Sequence, residues 1–208
     1  MDLKVSDREE TNLRNYILFT LAYNCMPTLM KIKPASLIHF QRKYIDDIDN
    51  FYAILKNELD KFGCNYEVIF SDNISFYILL FQESQLRVLI GNIRNNIILL
   101  ENGYNCEVIS LQKTLDVFKV RYEKHMRFKS EFPHELGLFL GYPILDVEGF
   151  IRNNGKNYLI NGYWKVYQNL ENALDIFKIY TGLRNDAKKL FLQGRELTEI
   201  MQTQLTLI

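Results

Sequence analysis

Residues 132–143 read Phe-Pro-His-Glu-Leu-Gly-Leu-Phe-Leu-Gly-Tyr-Pro, and residues 162–167 read Gly-Tyr-Trp-Lys-Val-Tyr. Between positions 132 and 167 the chain places two prolines, five glycines and its single tryptophan among strong apolar runs. Glycines beside aromatic residues are typical of places where the backbone comes close to another element or to a ligand. This stretch therefore predicts the centre of the fold, and it is where we expect a functional site.

The composition of the whole chain indicates a globular protein. Its 208 residues, 48% hydrophobic and 24% charged, are enough for one well-cored domain. Lys and Arg, 25 in number, balance 25 Asp and Glu, so bulk charge gives no reason to expect a nucleic acid or an anionic membrane as partner. We find no apolar run typical of a signal peptide or a membrane span, and we therefore expect a cytoplasmic location.

The cysteines and the short motifs exclude several classes of site. Cys25, Cys64 and Cys106 are an odd number and lie far apart, which favours reduced thiols over a disulfide framework. No Cys-x-x-Cys or His-x-x-x-His spacing indicates zinc, and no metal site is predicted. Neither a Gly-x-Gly-x-x-Gly loop nor a Walker-type lysine loop is present, so nucleotide binding by those devices is excluded.

Local patterns predict an α+β fold. A first helix is expected over about 7–24, followed by a loop or short strand at 24–34, because Pro27 and Pro34 oppose a continuous helix and place Cys25 at a junction. A helix at 41–62 has the clearest periodicity, and β-branched and aromatic runs at 65–70 and 74–81 predict a hairpin.

The second half of the chain gives a similar mixture. We expect helices at 84–102 and from Ser110 to about 129, a short helix or strand at 134–140, a helix from Pro143 to Gly155, a hairpin at 156–167 bent at Asn161-Gly162, and helical segments over 169–205 with breaks near Gly182 and Gly194. Together these elements predict a single domain over residues 1–208, with a small antiparallel or mixed sheet packed with several helices.

The two opening motifs, with two more, carry a resemblance to a known family. Residues 25–29 read Cys-Met-Pro-Thr-Leu and residues 33–37 read Lys-Pro-Ala-Ser-Leu. With the 132–143 and 162–167 motifs, they resemble a bacterial family that is common in anaerobic clostridia and is catalogued as a domain of unknown function. The resemblance makes 1–180 the family-like region and 181–208 a helical C-terminal extension. It names no activity or cofactor, but an association with flavodoxin and iron-uptake genes implies a role in redox or iron metabolism.

One hypothesis makes the protein a cysteine-dependent hydrolase or transferase. Cys25 would be the nucleophile, His134 its base, and Glu135 the carboxylate that orients the imidazole ring. A nearby histidine would raise the thiolate fraction of the cysteine. A related alternative makes Cys25 or His134 a ligand of haem iron or another metal. Against both, cysteine is among the residue types most often buried in cores.

The preferred hypothesis is a pocket for a small molecule or cofactor in redox or iron metabolism. The Cys25 loop, the 134–143 segment and the Trp164 strand would form it, with Lys33, Tyr142, Trp164, Lys165 and Tyr167 as ligand-binding residues. Aromatic faces beside a lysine can stack a flat ring and hold an anionic group. The same aromatic residues are also typical of ordinary sheet packing. A third alternative is a non-catalytic adaptor that binds a protein partner or forms a homodimer. The sequence does not identify the cofactor.

Overall fold

The protein's computed structural model describes residues 3–104 and 110–206, so Cys106 lies outside the described residues. Within these ranges the fold is a single α+β domain, as expected. Its elements, with a short 3-10 helix at Arg42–Tyr44, are α1 (Leu3–Leu29), β1 (Ala35–Gln41), α2 (Ile48–Asp60), β2 (Asn65–Ser71), β3 (Ser75–Phe81), α3 (Glu83–Gly91), α4 (Ile93–Glu101), α5 (Leu111–Phe128), α6 (Leu136–Phe139), α7 (Ile144–Arg152), β4 (Ile160–Asn161), β5 (Lys165–Val166), α8 (Leu170–Leu192) and α9 (Leu197–Leu205). Among the described helices, none has the length and apolarity that spanning a membrane requires.

The main sheet has three antiparallel strands in the order β1-β3-β2. β3 is the central strand, and its side chains are almost all buried. Successive side chains of a strand point to opposite sides, so this strand contributes to the core on both faces of the sheet. Phe76, Ile78 and Leu80 enter one hydrophobic cluster, and Leu79 and Phe81 enter another. The sheet therefore separates the core into two layers.

Helices cover both faces of this sheet. The first cluster contains the inner residues of α1 and α2 together with residues of α8 and α9. The second cluster contains residues of α3, α4, α5, α6 and α7 on the opposite face. A third, smaller cluster joins β5 to the N-terminal half of α8 and consists of Trp164, Val166, Ala173, Phe177 and Tyr180.

Helix α1 does not end before Pro27, and the expected loop at 24–34 is therefore wrong in its first part. The helix runs to Leu29 and carries Pro27 inside it. Proline has no N–H, so the carbonyl of Tyr23, four residues earlier, lacks its usual helical donor. The side chain of Arg184 supplies one, since its Nε lies 2.7 Å from the Tyr23 oxygen. A donor from α8 thus replaces the missing backbone hydrogen bond.

Three other expectations are corrected. The predicted helix at 41–62 begins only at Ile48, where Asp47 caps it by accepting from Asp49 N and Asn50 N. Of the residues before it, Gln41 ends β1 and Arg42–Tyr44 forms the short 3-10 helix. The helix at 84–102 is divided at Asn92 into α3 and α4. α8 continues through Gly182, which packs without strain. The hairpin of β2 and β3, the α5 helix and the break at Gly194 are confirmed.

Two close approaches fix the segments that were expected to be central. A Cβ atom at Gly162 would lie 2.1 Å from the ring of Phe177, so the β4–β5 turn sits directly on α8. A Cβ atom at Gly141 would lie 2.6 Å from the ring of Pro34, and Gly141 also has a positive φ of 76°. Glycine is therefore required at both positions. The second contact joins the segment after α1 to the end of α6.

Candidate functional site

A cavity of about 330 Å³ lies between the segment at 132–137, helix α7 and the β4–β5 hairpin. Its volume falls at the lower end of the range for small-molecule sites. The α6–α7 region supplies most of the wall, and the hairpin closes the opposite side. The residues that line the cavity are Phe132, His134, Leu136, Gly137, Leu140, Tyr142, Asp146, Val147, Phe150, Asn161, Trp164 and Lys165.

Stacked aromatic rings form one wall of the cavity. The rings of Tyr142 and Trp164 lie nearly parallel, 5.1 Å apart at an interplanar angle of 28°. Phe177 packs edge-on behind Trp164 with its ring centroid at 4.6 Å. Because the indole is held between two rings, the wall is preformed and presents a flat apolar surface.

Asp146 fixes the orientation of this wall. Its side chain is buried, and its Oδ2 accepts a hydrogen bond from Trp164 Nε1 at 2.7 Å. Its Oδ1 accepts from the backbone N–H groups of Tyr167 at 2.7 Å and Gln168 at 3.0 Å. Three donors therefore compensate a buried carboxylate that has no cation partner among the described residues. Asp146 joins α7 to the strand that carries the indole.

His134 supplies a neutral polar group on the opposite wall. Its half-buried ring lies 5.6 Å from the ring of Phe132 and 5.3 Å from that of Phe150. Burial lowers the pKa of His134, against the smaller opposing effects of Glu131 and Glu135, so the neutral imidazole is favoured at pH 7. Neither ring nitrogen has a hydrogen-bond partner among the described residues. A ligand can therefore use the imidazole as donor and as acceptor.

Lys165 supplies a cation at the same place. Its Nζ donates to the carbonyl oxygen of Gly155 at 2.7 Å and lies 5.4 Å and 4.9 Å from the ring centroids of Phe150 and Tyr158. No carboxylate pairs with it within the described parts of the chain. An ammonium has three donors, so two remain for a bound anion. Phe150 thus contacts both His134 and Lys165.

The cavity brings together four of the eight residues expected to form a site. His134, Tyr142, Trp164 and Lys165 line it, whereas Cys25, Glu135, Lys33 and Tyr167 do not. The 33–37 motif and the 132–143 motif meet at Pro34 and Gly141.

Cys25 lies inside α1, in the first cluster, and is completely buried. The segment that carries His134 packs on the opposite face of the sheet, in the second cluster. Burial strongly raises the pKa of the Cys25 thiol, which disfavours the nucleophilic thiolate. The position of Cys25 therefore argues against both a thiol nucleophile and a metal ligand at this residue, and the expected Cys25 loop is a helix.

Glu135 belongs to a buried polar network and not to the cavity. Its side chain is fully buried and accepts hydrogen bonds from the Arg121 guanidinium and from Tyr104 Oη, the latter at 2.8 Å. Arg121 also donates to Asn102. These contacts join α5 to the start of α6, so Glu135 stabilises the backbone beside His134 but forms no hydrogen bond with its ring.

Lys33 and Tyr167 lie near the cavity without lining it. Lys33 Nζ is 5.8 Å from the ring centroid of Tyr142. The ring of Tyr167 packs against α7, since a Cβ atom at Gly149 would lie 2.5 Å from its Cγ. Tyr167 therefore contributes to the site through its backbone N–H, which donates a hydrogen bond to Asp146 Oδ1.

Sequence reasoning missed Asp146 and Phe150 as site residues. Asp146 follows Pro143 in the first turn of α7, and Phe150 lies four positions after it, on the same helical face. An aspartate on the apolar face of a short helix is a signal for a buried polar contact. Across the described residues, no group of three or more His, Cys, Asp or Glu side chains is arranged to hold a metal ion.

Comparison with known proteins places the chain in a family. A family model described as "Protein of unknown function (DUF3793)" matches residues 21–201, and the match therefore extends through α8 into α9. Neither the search of curated proteins nor the search of solved structures returns a match. Since the family model covers most of the sequence, the chain belongs to the DUF3793 family of proteins of unknown function.

Proposed function

We propose that the protein binds a small planar molecule that carries an anionic group, with an aromatic carboxylate as the ligand class. The observation that supports this proposal is the 330 Å³ cavity, which combines a stacked aromatic wall with two polar groups beside the Phe150 ring. One is the Lys165 ammonium, which has no carboxylate partner among the described residues, and the other is the neutral His134 imidazole, which forms no hydrogen bond with them. The ring system of the ligand lies along Tyr142 and Trp164. Its carboxylate accepts from Lys165 and His134.

The balance of polar and apolar surface supports a ligand of this class. Most of the lining is aliphatic or aromatic, so transfer of a flat ring from water into the cavity is favourable. Asp146, which also lines the cavity, is occupied by three donors and does not repel the anion at close range as a free carboxylate would. The cation and the imidazole therefore set the orientation of the ligand.

A metabolic setting forms part of the same proposal. The association with redox or iron metabolism that the sequence resemblance implies is compatible with a conjugated ring held between aromatic walls. The proposal places the protein in the cytoplasm and gives it no nucleic-acid partner. It assigns no chemical step to His134, because no serine, threonine or cysteine is among the described residues that line the cavity.

Matched ligands and matched variants test the proposal. Calorimetry and ligand-observed NMR would compare 2-naphthoate with its uncharged alcohol analogue. We expect Lys165→Met to weaken 2-naphthoate binding by about tenfold and to change binding of the alcohol by less than about twofold, because a single charge contact is removed. Lys156→Met is the control: it removes an exposed lysine outside the cavity and should change neither.

The proposal also predicts what the purified protein carries. Native mass spectrometry should detect a bound small molecule in the wild type and less of it in the Lys165→Met protein. If neither probe binds at millimolar concentration and no small molecule copurifies, the proposal is wrong. A stable dimer under those conditions would instead support the adaptor alternative.

A further inference from the structure

A cluster of positive charge lies where the segment after α1 meets α8, outside the cavity. It consists of Lys33, Arg184 and Lys188, and their nearest neighbours are tyrosine rings. None of the three forms an ion pair with a carboxylate in the described part of the chain. Other surface lysines and arginines do, such as Lys178 with Asp175 on the same helix. The cluster therefore has an uncompensated charge.

Arg184 is held rigidly at the centre of this cluster. Its Nε donates to the Tyr23 carbonyl at 2.7 Å, and its guanidinium carbon lies 4.7 Å from the ring centroid of Tyr23 and 5.5 Å from that of Tyr163. The two terminal nitrogens form no hydrogen bond with the described residues. A guanidinium fixed in this way presents a preorganised pair of donors to an oxyanion.

Lys33 is a second cation of this cluster, linked to Arg184 through the contacting rings of Tyr180 and Tyr163. Its Nζ lies 5.8 Å from the ring centroids of both Tyr142 and Tyr180 and has no hydrogen-bond acceptor among the described residues. Burial lowers the pKa of Lys33 to about 8; the Cys25 sulfur opposes this shift, and the charge of Arg184 adds to it. No carboxylate is among the causes that oppose this shift. The faces of the two tyrosine rings compensate only part of the desolvation cost of the ammonium. A bound anion would compensate the remainder.

We infer that Lys33 and Arg184 form a binding site for a phosphate group. Two cations match the charge of a phosphate dianion, and its oxygens can accept from the Arg184 fork and the Lys33 ammonium together. Lys188, whose Nζ lies 5.2 Å from the Tyr23 ring, adds positive charge at the exposed side. The inference does not depend on the proposed cavity function, because neither Lys33 nor Arg184 lines that cavity.

The experiment measures binding of inorganic phosphate and of methyl phosphate, which has no ring to occupy the cavity, to the full chain by calorimetry and by phosphorus NMR at pH 7. We expect Lys33→Met to weaken both at least about tenfold, because one of two charge contacts is lost. Lys178→Met is the matched control, since it removes one lysine charge from α8 away from the cluster, and should change affinity by less than about twofold.

A second variant tests whether phosphate binding needs the guanidinium group of Arg184 or only its positive charge. Arg184→Lys keeps the positive charge but loses the planar fork, so it should weaken phosphate binding while Lys188→Met has a smaller effect. Tighter binding of methyl phosphate than of inorganic phosphate would assign the site to a phosphorylated metabolite, and equal or weaker binding would assign it to the free ion. If Lys33→Met and Lys178→Met weaken binding equally, or the wild type binds neither probe at millimolar concentration, the inference is wrong. Binding of 2-naphthoate in the cavity should be unchanged by Lys33→Met, which separates this test from that of the proposed function.

Discussion

The bond between Arg184 and the Tyr23 carbonyl should be energetically coupled to the presence of Pro27. Pro27 removes the donor that Tyr23 would otherwise use, and Arg184 Nε occupies its place at 2.7 Å. The perturbation is a double-mutant cycle with Arg184→Ala and Pro27→Ala. Substitution of Pro27 restores a backbone N–H four residues after Tyr23, which offers the carbonyl a partner that does not depend on α8.

The expected magnitudes follow from the contacts of the arginine. A hydrogen bond from a charged donor stabilises by about 1.5–3 kcal/mol, and a partly exposed cation–π contact adds about 0.5–1 kcal/mol. We therefore expect Arg184→Ala to lower the free energy of unfolding by about 3 kcal/mol when Pro27 is present. With Pro27→Ala in the background, the cation–π loss remains and the carbonyl is satisfied, so the same change should cost about 1.5 kcal/mol.

Urea unfolding of the four proteins, followed by circular dichroism, measures the coupling. The slopes of the transitions must agree, so that differences in midpoint report differences in stability. Lys188→Ala is the control, because its Nζ also lies over the Tyr23 ring at 5.2 Å but donates to no carbonyl of the described residues. Its small effect should be the same in both backgrounds. If Arg184→Ala lowers the free energy of unfolding equally with and without Pro27, within about 0.3 kcal/mol, Arg184 does not replace the backbone donor that is missing at Pro27.

Three further predictions concern other contacts. Gly162→Ala would place a Cβ atom 2.1 Å from the Phe177 ring, and should lower the free energy of unfolding by roughly 1–3 kcal/mol; Phe177→Leu in the same protein should recover part of that loss, as chemical denaturation will show. Asp146→Asn leaves one of three N–H donors without its acceptor, so we expect about 1–3 kcal/mol of destabilisation and a shifted emission maximum of Trp164, whereas an unchanged spectrum would contradict the assigned contact. Burial lowers the pKa of Lys33 from 10.5 to about 8, so between these pH values the unfolded chain binds a proton that the folded chain does not. The contribution of Lys33 to the free energy of unfolding therefore rises with pH over this range. Denaturant unfolding of the wild type and of Lys33→Met at several pH values measures this rise as the difference between the two proteins, and a difference that does not change with pH would show that Lys33 is solvated.

The parts of the fold that the sequence predicted are those encoded by neighbouring residues. The β2–β3 hairpin follows from two β-branched and aromatic runs around a short polar turn, and Asp72 in that turn accepts from Ile74 N and Ser75 N. The β4–β5 hairpin follows in the same way from Asn161-Gly162. In each case the interacting partners lie within a few positions, so the local pattern contains the information.

The parts that the sequence did not predict depend on distant partners. The continuation of α1 through Pro27 requires a donor from Arg184, which lies 161 positions after Tyr23. β1 was not predicted because its seven residues become a strand by pairing with β3. The proposed pairing of Cys25 with His134 failed for a related reason: the face of the sheet on which each segment packs is a property of the whole chain.

Four of the eight residues that the sequence suggested for a site do line the cavity. The glycine and aromatic pattern at 132–167 predicted the region, because close packing at Gly141 and Gly162 leaves no room for a side chain. The pattern identifies a segment but not which of its side chains point inward. Glu135 and His134 are adjacent in sequence, yet one is sealed in an ion pair with Arg121 and the other lines the cavity.

The packing of α1 against α8 and α9 also determines when this half of the molecule can form. The inner face of α1 is covered by Leu183, Ala187, Leu197 and Ile200, and the ion pair of Arg14 with Glu196 joins residues 182 positions apart. Such contacts require closure of nearly the whole chain, which makes them late and slow events in folding. During synthesis α1 emerges long before α8 and α9, so the part of its apolar face that these two helices cover stays without its partners until translation reaches α9.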